Sequence, residues 1–232
     1  IFCLIGLSAN ASDTHIVATE EYPPYEMKKP VNGLRGFDYE VLIEISKDLN
    51  LDLDIQFLPW KRAIQYTKSG KVLGILTCAH TSEREIFITY SDPISEFTNG
   101  LYTIAGFEGI KPQKIEDVIG QKVGSVDGYE SLLILQKIGA NPIAAPSTSN
   151  AIDMLFSQRF EYLSLAKQAT DFIIKQKGKS GYFDFYTLET KNFYFCFSKR
   201  YPKLGNLVER FNQSLKQLKE SGRYDAIHAK YR

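Results

Sequence analysis

The chain has 232 residues, 44% of them apolar and 13% aromatic, which is enough to bury a substantial core and excludes a disordered segment. Lys and Arg number 28 against 27 Asp and Glu, so the formal net charge of +1 excludes a one-signed field that would gather nucleic acid or anionic lipid. Cysteines at 3, 78 and 196 form no CxxC and have no nearby His, against a structural zinc or dithiol centre, and no apolar run reaches the roughly eighteen residues of a spanning helix.

The first residues, Ile-Phe-Cys-Leu-Ile-Gly-Leu-Ser, lead to Ala9-Asn10-Ala11 and then to polar Ser12-Asp13-Thr14. This reads as the trailing half of a secretory signal, residues 1–11, with the mature chain starting near Ser12; a buried N-terminal strand is the alternative. Cys3 leaves with such a signal. Cys78 and Cys196 remain, either bridged in an oxidising compartment or as two buried thiols.

His15 to Thr19 is a β-branched strand that ends where Pro23 and Pro24 forbid ladder bonding, in a loop carrying Tyr22 and Tyr25. From Phe37 the apolar residues Phe37, Val41, Leu42, Ile45 and Leu49 recur at helical spacing. Asp52 to Leu58 alternates as a strand closed by Pro59, Trp60 to Ser69 reads as a helix stopped by Gly70, and Val72 to Cys78 is an apolar strand. Ser82-x-x-Glu85 has the spacing of a capping box and predicts a helical turn. Residues 97–105 form a strand-like run.

A second alternating pattern follows, with strand 122–126, the Asp127-Gly128 turn, a helix from about Ser131, strand 142–145, helix 149–157, strand 162–165 and helix 167–177. One more strand at 193–198 precedes an amphipathic helix with Leu204, Leu207, Val208, Phe211, Leu215 and Leu218 on one face, and a short last helix follows Gly222. Alternating strands and helices predict an α/β architecture with a mainly parallel sheet. Ligands of such sheets bind beyond the carboxyl ends of the strands, where Tyr22, Tyr25, Trp60 and residues 77–84 fall.

The order of these features resembles the family 3 extracellular solute-binding proteins, the periplasmic amino-acid-binding components of ABC transporters. The strings that carry it are Pro23-Pro24-Tyr25, Gly36-Phe37-Asp38, Pro59-Trp60-Lys61-Arg62-Ala63, Gly70-Lys71-Val72, Thr81-x-x-Arg84 with Tyr90-Ser91-Asp92-Pro93, Val123-Gly124 with Gly128, and Gly222-Arg223-Tyr224-Asp225-Ala226-Ile227. The Pro-Trp-Lys-Arg-Ala string resembles a short-chain subset of that family. The resemblance implies a periplasmic binding protein fold of type II, two α/β lobes joined by two crossover strands, with one domain from 12–100 plus 194–232 and the other from 101–193. It implies a monomer that closes by hinge motion on a small-molecule ligand and hands it to the membrane subunits of an ABC transporter.

Residue by residue, Arg84 matches the arginine that clamps the ligand carboxylate, a task suited to the guanidinium fork. Thr77 and Ala79 match positions that use backbone groups, and Thr81 offers a hydroxyl that serves equally as a helix cap. Trp60, Tyr22 and Tyr25 are candidate aromatic walls, and Asp127, Gly128 and Tyr129 occupy the turn that meets the carboxylate. Ala166 stands where amino-acid binders have an acid for the ligand's amine, so Glu20, Glu21, Asp127 or Glu161 must substitute, or the ligand is not a standard α-amino acid. Leu73 stands where the family commonly has Asp, a departure that concerns the fold.

An enzyme on the same scaffold, with dehydratase-like chemistry on a cyclic carboxylic acid, is the alternative; a ligand sensor without a transporter is another. Catalysis needs a positioned acid or base, yet His15, His80 and His228 are scattered and only His80 is close to Arg84 in sequence. No GxSxG, HExxH or GxGxxG string occurs, and no cofactor or metal is implied.

Overall fold

The computed structural model describes residues 14–202 and 204–231, so the expected signal remnant 1–11, with Cys3, lies outside the described residues. The first strand, β1 (His15–Thr19), lies parallel between β2 (Leu53–Phe57) and β3 (Gly74–Ala79). Parallel neighbours need crossovers, which are supplied by α1 (Phe37–Asp48) and α2 (Trp60–Ser69). The 3.6-residue period puts Phe37, Val41, Leu42 and Ile45 of α1 in the core, and Gly70 closes α2 in the left-handed conformation at φ 78°. The one-turn helix α3 (Ser82–Glu85) is capped by Thr81, one residue before the position the Ser82-x-x-Glu85 spacing suggests. Thr81 is the residue in the extended conformation of an N-cap, and its Oγ1 accepts from the Arg84 N–H at 3.2 Å.

Two long strands follow, β4 (Ile88–Ile104) and β8 (Phe183–Ser198), whose ends alone are visible as the predicted strands 97–105 and 193–198. The start of β4 is hidden in the sequence by Pro93 and by register shifts on either side of it, and the first ten residues of β8 contain no buried side chain to set a pattern. Between them lie β5 (Val123–Val126), α4 (Glu130–Lys137), β6 (Ile143–Ala145), α5 (Thr148–Phe156), β7 (Tyr162–Ala166) and α6 (Lys167–Gln176). The chain ends with α7 (Leu207–Glu220) and α8 (Arg223–Ala229).

The strands form one sheet in the order β2-β1-β3-β8-β4-β7-β5-β6. It is parallel at its two ends, but β8 runs antiparallel to β3 and β4, and β4 antiparallel to β7, which corrects the expectation of a mainly parallel sheet. The paired long strands β4 and β8 link the two parallel groups.

One core packs α1, α7 and α8 against β3 and β8 through Ile45, Leu76, Phe195, Phe211, Leu215 and Ile227, and Leu73, with 2% exposure, belongs to it. A second core holds Val126, Ile152, Leu155, Leu163 and Ile173. A third surrounds Trp60, Ile75 and Cys78, and Tyr129 packs against all three. Cys78 and Cys196 are bridged, with Cα atoms 6.0 Å apart across a sequence separation of 118, which resolves the pairing left open by the sequence.

Candidate functional site

The carboxyl ends of β1 and β3, the start of α2, the first turn of α4 and the middle of β4 and β8 enclose a cavity of about 40 Å³. Of the predicted residues, Tyr22, Trp60, Thr77, Ala79, Arg84, Tyr129 and Ala166 line it. Tyr25, Thr81, Asp127 and Gly128 do not, and each has another task. Tyr25 is fully buried behind the wall, stacked on Tyr22 at 5.4 Å and donating its hydroxyl to the Glu96 carbonyl at 2.9 Å. Thr81 caps α3. Asp127 points outward and pairs with Lys61 at 3.0 Å, both side chains substantially exposed. Gly128 contributes its carbonyl oxygen, which accepts from Trp60 Nε1 and from Arg84 Nη2, each at 3.0 Å.

Arg84 is only 4% exposed. Its Nη1 donates to the Ala79 carbonyl at 2.7 Å, and its Cζ lies 5.4 Å from the centre of the Trp60 ring. Burial lowers the guanidinium pKa from its ordinary value, against the pull of Tyr90, Glu130, Glu83 and Glu20, but an arginine stays charged in such surroundings. The walls are aromatic. Tyr129 meets both Tyr22 and Trp60 edge-on at 6.0 Å, and Phe193 stacks on Phe97 at 4.1 Å.

Ala166 brings no acid to the cavity, but Glu20 does. Among the four acids that the sequence offered as substitutes, Glu20 alone lines the cavity. Asp127 faces Lys61, Glu21 accepts from the Lys28 N–H at 2.8 Å, and Glu161 accepts from the Lys122 N–H at 3.3 Å. Burial raises the Glu20 pKa to about 8, although the hydrogen bond from Tyr129 and the charge of Arg84 both favour the carboxylate. The Tyr129 hydroxyl also lies 3.3 Å from Thr148 Oγ1. The cavity thus holds a buried cation and a half-buried acid against aromatic walls.

Sequence reasoning missed Phe97, Asn99, Glu130, Ser131 and Phe193, all of which line the cavity. Phe97, Asn99 and Phe193 lie inside the predicted strands 97–105 and 193–198; what the sequence did not show is that β4 and β8, to which they belong, pair with each other beside the cavity. Glu130 and Ser131 form the first turn of α4, next to the Asp127–Tyr129 turn already singled out; Glu130 pairs with Lys191 at 2.7 Å. His80 is outside the cavity and faces the Glu85 carboxylate at 2.7 Å. Among the described residues no cluster of His, Cys, Asp and Glu is placed to hold a metal ion, and no helix is long and apolar enough to cross a membrane.

Comparison with known proteins places the chain among similar sequences and folds. The arginine-binding periplasmic protein of Mannheimia haemolytica is 26% identical over 97% of this chain and 93% of its own. A probable histidine-binding protein of Neisseria gonorrhoeae is 23% identical over 97% of this chain and 85% of its own. A crystal structure of a histidine kinase sensor domain with similarity to periplasmic binding proteins superposes with a TM-score of 0.82 at 20% identity, covering 94% of this chain and 95% of that one. The family model of bacterial extracellular solute-binding proteins, family 3, matches residues 15–232, and the chain belongs to that family.

Proposed function

We propose that this protein captures a cationic or zwitterionic amino acid in the cavity described above, between two lobes formed by residues 12–100 plus 194–232 and by residues 101–193. The observation that carries this reading is the pairing of Arg84 with Glu20 in one aromatic cavity. Arg84 takes the ligand carboxylate, displacing the Gly128 carbonyl from Nη2, and Glu20 takes the ammonium in place of the acid absent at Ala166. Tyr22, Trp60 and Tyr129 supply apolar contact area. The likeness to an arginine-binding periplasmic protein and to a probable histidine-binding protein supports the ligand class.

A cavity of about 40 Å³ holds only a few waters, so ligand entry requires hinge opening about β4 and β8. Delivery is to the membrane subunits of an ABC importer from the periplasm, reached through the signal segment at 1–11. A sensor role is a second reading, favoured by the likeness to a histidine kinase sensor domain. Neither reading requires catalysis.

The test is a thermal-shift screen of the chain against L-arginine, L-histidine, other amino acids, dicarboxylates and amines, with calorimetry on the best binder. A ligand at a hundred times its Kd stabilises by about 2.7 kcal/mol. Arg84→Ala should abolish the shift; an unchanged affinity in Arg84→Ala, or a response to a neutral sugar and to no carboxylate, overturns the reading.

A further inference from the structure

Beneath the cavity lies a buried cluster that ligand contacts do not explain. Glu26 and Asp38, 1% and 0% exposed, both reach the hydroxyl of Thr77, a residue that lines the cavity. Four oxygen–oxygen contacts join the group. Thr19 Oγ1 meets Glu26 Oε1 at 3.0 Å, Thr77 Oγ1 meets Glu26 Oε2 and, at 2.9 Å, Asp38 Oδ2, and Ser95 Oγ meets Asp38 Oδ2 at 2.8 Å. The three hydroxyls carry three hydrogens. The fourth contact needs a hydrogen from a carboxyl, because two carboxylates sharing one hydroxyl would leave an oxygen facing an anion with no proton between them. The second oxygen of Asp38 is buried with no hydrogen-bond partner, which an ionised group tolerates poorly.

Thr77 itself is unusual. Its φ of 56° is left-handed for a β-branched residue, and the bulge between Ile75 and Cys78 takes it out of the β3–β8 register. Such a conformation persists only where the surroundings hold it.

We propose that Glu26, Thr77 and Asp38 form one hydrogen-bonded unit that keeps a single carboxyl proton at neutral pH and that fixes the left-handed backbone of Thr77 at the floor of the cavity. Thr77 is thereby a positioning residue, and the unit makes the floor a proton-dependent part of the site. That the floor touches ligand rests on the function proposed above; the proton and the backbone conformation do not. Burial, the first cause for both groups, raises Asp38 to about 7 and Glu26 well above the ordinary carboxylate range. Because the two are coupled, the proton belongs to the pair.

The other ionisable groups around the pair leave it short of a compensating cation. The loop after β1 brings Glu20, Tyr22 and Tyr25, and α8 brings Tyr224; Lys219 of α7 is the cation that acts on Asp38, but its Nζ donates to the Pro93 carbonyl at 2.7 Å.

Carbon-13 NMR of the side-chain carboxyl carbons across a pH series tests the proton directly on the unmodified chain, with Glu26→Gln and Asp38→Asn used only for assignment. One proton should remain on the pair at pH 7 and leave at higher pH; two ionised carboxylates already at pH 6 overturn the proposal. The melting temperature supplies a second readout. A carboxyl protonated in the fold but ionised in the unfolded chain costs stability as pH rises from the ordinary carboxylate range through the folded-state value. Tm should therefore fall over that window, and Glu26→Gln should flatten the fall relative to wild type, in which Glu20 also contributes.

Backbone chemical shifts of residues 76–79 test the positioning: Thr77→Ser, which keeps the hydroxyl, should retain them, and Thr77→Val should displace them. Unchanged shifts in Thr77→Val overturn that half of the proposal. Failure of every amino acid to bind would sink the proposed function and leave these results standing.

Discussion

At the scale of the residue, the most informative position is Glu20, because its charge state is unsettled near neutral pH. Half-buried and accepting from the Tyr129 hydroxyl, it holds a proton up to about pH 8. On the proposed function a ligand ammonium sits against Glu20 and requires the carboxylate, so binding should expel that proton. Affinity for L-arginine should then rise by up to about tenfold per pH unit below pH 8 and level off above it. Calorimetry in two buffers of different ionisation enthalpy should register one proton released at pH 6.5. Glu20→Gln should remove both the proton release and the pH slope and weaken binding by about 10- to 100-fold, the worth of a charged hydrogen bond at about 1.5–3 kcal/mol. A wild-type slope that survives in Glu20→Gln assigns the ammonium to another group. The sequence offered Glu20 as one of four acids and had no means of ranking them, because the ranking depends on which direction a loop of two prolines turns after β1.

Among the elements, two of the strings that carried the family resemblance turn out to be two sides of one contact. Helix α1 has no side-chain cap; its first N–H groups go to the β1–α1 loop, with Phe37 donating to the Pro24 carbonyl at 3.1 Å and Asp38 to the Tyr25 carbonyl at 3.0 Å. Pro23-Pro24-Tyr25 and Gly36-Phe37-Asp38 are therefore read together by the fold. Gly36 makes the approach possible: at φ 107° a Cβ there would lie 2.2 Å from the Tyr25 carbonyl oxygen. Gly36→Ala should cost about 2–4 kcal/mol in denaturant unfolding, from overpacking and backbone strain together. Gly33→Ala is the control, since its φ of 79° is also positive but its Cβ meets nothing within 4 Å, and it should cost only about 1–2 kcal/mol. Equal losses would show that the close approach is relieved by movement of the loop. Helices and short strands were legible because their burial follows a period; the start of β4 and the first part of β8 were not, because Pro93 and an unburied stretch of ten residues erase it.

For the whole molecule, the question is what holds the two sides of the cavity together around a space of only about 40 Å³. Residues 127–129 receive four polar contacts from the side that carries β1, α2 and α3: Arg84 and Trp60 on the Gly128 carbonyl, Glu20 on the Tyr129 hydroxyl, and Lys61 on Asp127. They are unequal. The Lys61 and Asp127 side chains are 67% and 44% exposed, and such pairs contribute about 0–1 kcal/mol. The Tyr129 hydroxyl donates to Glu20 in a half-buried contact, and losing it leaves an acid without its donor, at a cost of about 1–3 kcal/mol. Trp60 is the only tryptophan of the chain and is 7% exposed in this cavity, so its fluorescence reports opening. Tyr129→Phe should raise the acrylamide quenching of Trp60 by shifting the population towards an open form, whereas Lys61→Ala should leave quenching unchanged. The reverse order would transfer the closure from the half-buried acid to the exposed ion pair. Adding L-arginine to Tyr129→Phe should lower quenching again, because a ligand bridging Arg84 and Glu20 replaces the contact that the hydroxyl had made.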